Sequence, residues 1–181
     1  MKKPLWKILN MSAQKQFDKN NFSFLFQKDK LICILLVTLV FFLDRISKIK
    51  IINHQLDNER VYINDFINLD LVWNTGIGFG LLSSNSSIIY NSITGLIGII
   101  LIILVFMIIK SNLFEKILYS IILGGALGNV YDRIVYFAVP DFIDIHYQRF
   151  HWFTFNIADI FITIGIFLLI IKEFFFTNEK N

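Results

Sequence analysis

The chain has 181 residues, of which 55% are hydrophobic and 20 are phenylalanine, and its mean hydropathy is +0.61. One soluble core of this length cannot bury so much apolar surface, so the composition excludes an ordinary soluble domain and predicts an integral membrane protein. The net charge is only +3, and the 17 basic residues follow the expected membrane topology, which argues against a nucleic-acid partner.

Four long apolar segments predict four transmembrane helices within one membrane-embedded domain, residues 28–176. The helices are expected at about 31–52, 88–109, 114–133 and 156–176. The second is the clearest, because its 22 residues carry no charge and are enough to cross a hydrocarbon core about 30 Å thick.

The ends of the chain are predicted to be short cytoplasmic tails, a basic one over residues 1–27 and a second over 177–181. The first tail lacks the apolar region and the cleavage site of a removable signal peptide. Eleven of the 17 basic residues lie at the two ends of the chain, up to residue 30 and from residue 172 onward, or in the turn between helices two and three. Because basic residues mark the cytoplasmic side, both termini are expected in the cytoplasm.

The connection after the first helix is predicted to form a small β region over about residues 55–82. Its apolar residues Ile67, Leu69, Leu71 and Trp73 alternate with other side chains, which is the period of a strand. The connection before the fourth helix is rich in aromatic residues and is interpreted as an interfacial belt. The predicted fold class is therefore an all-α membrane protein with a small extracytoplasmic β-sheet between helices 1 and 2.

Polar residues on the third helix share one face. Gly125, Asn129 and Arg133 recur every four residues, and an inward-facing Asn and Arg need partners, which acids of neighbouring segments are expected to supply. At the end of the first helix, Asp44 and Lys48 have the spacing and order of a helical ion pair and are expected to neutralise each other.

Two aspartates, Asp141 and Asp159, flank the start of the fourth apolar segment. An ionisable group at membrane depth costs from about 2.5 kcal/mol upward, so such acids usually have a function. Asn156 followed by Asp159 resembles a helix N-cap, which explains the second acid but not the first. Three functions remain open from these residues: hydrolysis, proton or cation relay in a small transporter, and a non-catalytic lipid-binding scaffold.

Metal ions and cofactors are not expected. His54, His146 and His151 lack a recognisable ligand spacing, although Asp144 is near His146, and Cys33 is the only cysteine. The sequence thus predicts no metal site, no cofactor and no intrachain disulfide.

Five blocks of residues follow one another in order over most of the chain. They are Asp44-Arg45-Ile46-Ser47-Lys48, Asn74-Thr75-Gly76-Ile77-Gly78-Phe79-Gly80, residues 124–133, Asp141-Phe142 and Phe155-Asn156-Ile157-Ala158-Asp159. In order and spacing, these blocks resemble those of the lipoprotein signal peptidases, also called signal peptidase II. Departures are Ser47 where the family commonly has Thr, Gly78 where Ala is usual, and Pro140 where Val usually precedes the aspartate.

The resemblance implies an aspartic endopeptidase that works without metal, with Asp141 and Asp159 as a catalytic pair sharing one proton. Asp159 is expected to be the ionised member, because the first turn of a helix stabilises negative charge. The implied substrates are diacylglyceryl-modified prolipoproteins, cut just before the lipidated cysteine, and a monomer in contact with membrane lipid is expected. Supporting or substrate-binding roles are implied for Asp44, Lys48, Asn74, Gly76, Gly125, Asn129, Arg133, Asn156 and Ala158.

Overall fold

A computed structural model describes residues 28–55, 60–76 and 87–176. The two predicted tails, 1–27 and 177–181, lie outside the described residues, and so do residues 77–80 of the glycine-rich segment. The described residues form four helices and four strands. The helices are α1 (Lys28–Gln55), α2 (Ser87–Lys110), α3 (Leu113–Tyr136) and α4 (Ile157–Phe176), and the strands are β1 (Val61–Asn64), β2 (Ile67–Asn74), β3 (Val139–Tyr147) and β4 (Phe150–Phe155).

Among the described residues, two helices are long and apolar enough to cross a membrane by length and composition, Ile88–Lys110 and Leu113–Tyr136. The outward side of α2 is strongly apolar, with Ile102 71% exposed and Phe106 60% exposed. Water would penalise such exposure, whereas lipid does not. The helices α1 and α4 carry charges within their apolar lengths; Asp44, Arg45 and Lys48 of α1 are buried.

Helix α3 is the central helix, since it packs against α1, α2 and α4. Glycines permit the close approaches. A Cβ atom at Gly124 would lie 2.8 Å from the carbonyl oxygen of Val37 on α1, and one at Gly125 would lie 2.8 Å from that of Ala158 on α4. Small residues at helix interfaces bring backbones together in this way. The helix ends at Tyr136, and the left-handed conformation of the C-cap residue Phe137 (φ 57°) turns the chain into β3.

The strands form one antiparallel sheet in the order β1-β2-β3-β4. The alternation in residues 67–73 correctly predicted β2. The expectation that the sheet lies between helices 1 and 2 alone was wrong, because β3 and β4 follow α3 and supply half of it. The sequence of β3 does not show the alternation of apolar and polar residues that is typical of a strand, because Val139 through Phe142 are all buried and charged residues follow. The aromatic segment interpreted as a belt is the β3–β4 hairpin.

The sheet meets the helices where its central strands begin and end. In the β2–β3 pairing, Asn74 is opposite Val139 and Val72 is opposite Asp141. Strand β4 leads through Asn156 directly into α4. The ends of three strands and the first turn of a helix therefore converge, and the two predicted catalytic acids lie at this junction.

Candidate active site

Asp141 lies in β3 and is 2% exposed. Each of its carboxylate oxygens accepts a hydrogen bond from an amide side chain. Asn74 Nδ2 donates to Oδ2 over 2.9 Å, and Asn156 Nδ2 donates to Oδ1 over 2.6 Å. Residues from the ends of two other strands thus hold the carboxylate in one orientation.

Asp159 lies in the first turn of α4 and takes part in its N-cap. The Asn156 side-chain oxygen accepts from the Asp159 backbone N–H over 3.0 Å, and the Asn156 backbone N–H donates to Asp159 Oδ2 over 3.2 Å. This reciprocal pair is a capping box, as the Asn-x-x-Asp spacing predicted. The other oxygen, Oδ1, accepts from Asn129 Nδ2 over 2.9 Å. Capping and a functional role are therefore compatible, because they use different oxygens.

Both carboxyl groups line one cavity of about 450 Å³. Burial raises the pKa of Asp141 to about 7, and the negative charge of Asp159 adds to this effect. Together they outweigh the hydrogen bonds from Asn74 and Asn156, which favour the charged form. The remaining walls are mostly apolar and come from α2, α3 and α4. They include Ile97, Ile100, Leu104, Ile122, Ile162 and Ile166.

Lys48 on α1 connects several buried polar groups behind the two acids. Its Nζ donates to Asp44 Oδ2 over 2.7 Å and to Asn129 Oδ1 over 2.8 Å. It also lies 2.7 Å from Asp132 Oδ2, an ion-pair contact without hydrogen-bond alignment. Because the Asn129 oxygen is bound to Lys48, its NH₂ group is turned toward Asp159. The predicted Asp44–Lys48 ion pair is present, but it belongs to a larger network.

Asp132 is a buried network residue that sequence reasoning missed. It pairs with Arg45 Nη1 as well as with Lys48, and it is fully buried. The Arg45 guanidinium also stacks on Tyr131, 4.5 Å from the ring centroid. A signal was available, because Asp132 is three residues after Asn129 and so lies on the same side of α3.

Asp44 contacts α4 in addition to its ion pair with Lys48. Its Oδ1 accepts from the backbone N–H of Ala158 over 3.0 Å, so a carboxylate of α1 satisfies a free donor in the first turn of α4. Gly128 makes this possible, since a Cβ atom there would overlap the Asp44 carboxylate. The predicted supporting residue Ala158 therefore acts through its backbone.

Arg133 does not pair with an acid among the described residues, contrary to the sequence expectation. Its Nη2 donates to the carbonyl oxygen of Gly76, and its guanidinium lies 5.3 Å from the Tyr90 ring centroid. Gly76 in turn donates its backbone N–H to Asn74 Oδ1 over 2.8 Å. Within the described residues, Arg133 Nε and Nη1 make no hydrogen bond, and the side chain lines the cavity.

The structure brings all the sequence-predicted site residues to this region. Gly125 is the one whose contribution is purely steric, because it lets α4 approach α3 at Ala158. The others form a connected set of hydrogen bonds and ion pairs around the cavity.

Known proteins match this chain over a segment that includes these site residues. The family model described as signal peptidase (SPase) II matches residues 36–175, which contain the whole site. This chain belongs to the signal peptidase II family. Membership makes it a protease, and the relatives give no support to the transporter alternative.

Individual relatives agree with this membership. The chain is 51% identical over 150 residues to a lipoprotein signal peptidase of Pelagibacter ubique, covering 82% of this chain and 90% of that one. It is 34% identical over 148 residues to one of Anaplasma marginale, covering 81% and 86%.

Two solved structures of bacterial membrane enzymes have the same fold. One has a TM-score of 0.70 at 33% identity, covering 82% of this chain and 91% of the other. The second has a TM-score of 0.66 at 32% identity, covering 80% and 94%.

Proposed function

We propose that this signal peptidase II family member is an aspartic endopeptidase that uses Asp141 and Asp159 without a metal ion. Its substrates would be diacylglyceryl-modified prolipoproteins, cut just before the lipidated cysteine. The observation that carries the proposal is the shared cavity, which both acids line while separate amide groups hold each carboxylate. Family membership supports the substrate class.

In the proposed mechanism the two acids hold one proton between them. Asp159 is the charged member, because it accepts from the backbone N–H of Asn156 at the positive end of α4. Asp141 keeps the proton near neutral pH, since its pKa is raised to about 7. Asp159 takes a proton from the attacking water while Asp141 donates to the scissile carbonyl oxygen, and the roles then reverse to release the amine.

The cavity walls suit an apolar substrate. Isoleucine and leucine side chains of three helices surround a volume large enough for several residues, and both acids are among its polar lining residues. An apolar signal segment would lie against these walls with its scissile bond at the acids. The acyl chains of the lipidated cysteine would remain in membrane lipid, and one copy of the chain holds the complete set of site residues.

The proposed topology has four crossings. At 28 and 20 residues, α1 and α4 are about 42 and 30 Å long, enough to cross the hydrocarbon core. Asp44 and Lys48 of α1 pair with each other, and Lys172 of α4 pairs with Glu115 at 2.5 Å. Basic residues concentrate at the two ends of the chain, up to residue 30 and from residue 172 onward, so both termini would be in the cytoplasm and the site near the extracytoplasmic face of the bacterial inner membrane.

The test is cleavage of a purified diacylglyceryl-modified prolipoprotein by the full-length protein in detergent. Asp141→Asn and Asp159→Asn should each lower the rate at least about 100-fold, because each removes one partner of the acid–base pair. Asp65→Asn is the matched control, since Asp65 is exposed in the β1–β2 turn. A chelator should not change the wild-type rate.

Mass spectrometry of the released peptide checks the substrate class. The cut should fall immediately before the lipidated cysteine, and the unmodified prolipoprotein should be cleaved poorly. Full activity of either Asn variant would remove that aspartate from the proposed role. Efficient cleavage without the lipid would remove the lipid requirement.

A further inference from the structure

A second polar cluster lies on the sheet, formed by Asp144, His146 and His151. One carboxylate oxygen and one ring nitrogen from each histidine lie within 4.8 Å of one another. His151 Nδ1 is 2.7 Å from Asp144 Oδ2, and His146 Nδ1 is 3.7 Å from the same oxygen. Asp144 and His146 are buried, whereas the His151 side chain is 47% exposed.

Strand pairing creates this cluster. Asp144 and His146 alternate along β3 and so face the same side of the sheet. The β3–β4 register pairs Ile145 with Phe153 but His146 with His151, so Trp152 is an extra residue in β4. Without this bulge, Trp152 would be opposite His146. The three side chains are therefore brought together by the pairing of β3 with β4 and not by their spacing in the sequence.

The buried polar atoms of the cluster are incompletely satisfied. Among the described residues, His146 Nδ1 and Asn68 Oδ1 are buried and make no hydrogen bond. Asn68 lies opposite Asp144 on β2, and its side-chain nitrogen is 3.5 Å from His146 Nε2. Exchanging the Asn68 amide oxygen and nitrogen gives Oδ1 the Nε2–H donor. His146 Nδ1 then presents a lone pair toward the Asp144 carboxylate.

In that arrangement, and with the lone pair of His151 Nδ1 also turned inward, electron-pair donors of three side chains converge on one point, where a cation would satisfy all three. Imidazole nitrogens with one carboxylate oxygen are a ligand set typical of zinc and related divalent ions. The half-exposed His151 leaves a path for entry and an open coordination position. Asn68 holds the outer nitrogen of His146, as groups behind metal-ligating histidines usually do.

We propose that Asp144, His146 and His151 bind a divalent transition-metal ion of the zinc class, which fastens the β3–β4 hairpin. Asp144 is three residues from Asp141, about 10 Å along the strand. The ion is therefore structural and separate from the two acids, and the inference goes beyond the proposed function. It departs from the sequence expectation of no metal site.

The experiment uses the full-length protein in detergent, without a polyhistidine tag and stripped with a chelator. Calorimetry with Zn²⁺ and visible absorption with Co²⁺ should show one bound ion per chain. His146→Ala and His151→Ala should each weaken binding at least about 100-fold, and Asn68→Ala should weaken it about 10- to 100-fold. His54→Ala, in the last turn of α1, is the matched control and should bind like wild type.

The second readout is thermal unfolding. Added Zn²⁺ should raise the melting temperature of wild type and His54→Ala but not of His151→Ala, whose exposed side chain can be removed without disturbing the core. The proposal is overturned if stripped wild type binds no more Zn²⁺ than His146→Ala and His151→Ala, which would leave a hydrogen-bonded cluster without an ion. Loss of prolipoprotein cleavage in stripped wild type would instead contradict the metal independence of the proposed function.

Discussion

Replacing Lys48 with methionine tests the buried network behind the two acids. Methionine keeps much of the side-chain volume but removes the Nζ group, which lies 2.7 Å from oxygens of both Asp44 and Asp132. Among the residues that the structure describes, Asp44 then keeps only the Ala158 backbone donor, and Asp132 keeps Arg45. Both carboxylates remain buried, so the protein loses the attraction but not the desolvation cost.

Breaking a buried ion pair by removing one partner destabilises a protein by about 3–5 kcal/mol. A folded domain has about 5–15 kcal/mol of stability in total, so Lys48→Met should lower the melting temperature markedly. Activity should fall as well, because Asn129 loses the contact that fixes its amide. Its hydrogen bond to Asp159 Oδ1 is then no longer fixed, and the carboxylate can shift about its remaining bond from the Asn156 backbone. A displacement of about 1 Å costs about 100-fold in rate.

The assays are thermal unfolding in detergent and prolipoprotein cleavage, measured well below the lowered melting temperature. Lys50→Met is the matched control, since Lys50 is exposed on the same helix. The double variant Lys48→Met with Asp44→Asn should recover part of the lost stability, because one uncompensated charge is gone. Equal melting temperatures and rates for Lys48→Met and Lys50→Met would refute the reasoning.

Two further predictions concern packing and pH. Gly128→Ala should lower the melting temperature, at a cost of about 1–3 kcal/mol in the free energy of unfolding, because its Cβ overlaps the Asp44 carboxylate. Gly98→Ala should not lower it, because the space around Gly98 is open. Equal effects of the two substitutions would contradict the packing explanation. The cleavage rate should fall about tenfold per pH unit above about pH 7, where Asp141 loses the proton it donates. The folded chain binds this proton more tightly than the unfolded chain, so Asp141 also lowers the free energy of unfolding as pH rises from 3.8 to about 7. A rate that stays constant well above pH 7 would contradict the assignment.

Local patterns predicted much of this protein. Uninterrupted apolar length predicted α2, because a helix of 22 residues matches the membrane thickness. Alternation predicted β2, since side chains of a strand point to opposite faces. The cost of burying carboxylates singled out Asp141 and Asp159, and the Asn156 spacing predicted the cap of α4. Each of these signals is contained in a short stretch of chain.

Contacts between distant segments were decided only by the tertiary structure. The β3–β4 hairpin escaped prediction because the first four residues of β3 are all buried, which removes the alternation that marks a strand, and because the mostly exposed, aromatic-rich β4 does not alternate either. Asp132 looked like one more polar residue of α3 until α1 placed Arg45 and Lys48 beside it. The Asp144 cluster depends on a bulge that brings His151 opposite His146. Composition and periodicity report which face of an element is apolar, but only folding determines which charged groups meet, because that depends on the register and approach of elements far apart in the chain.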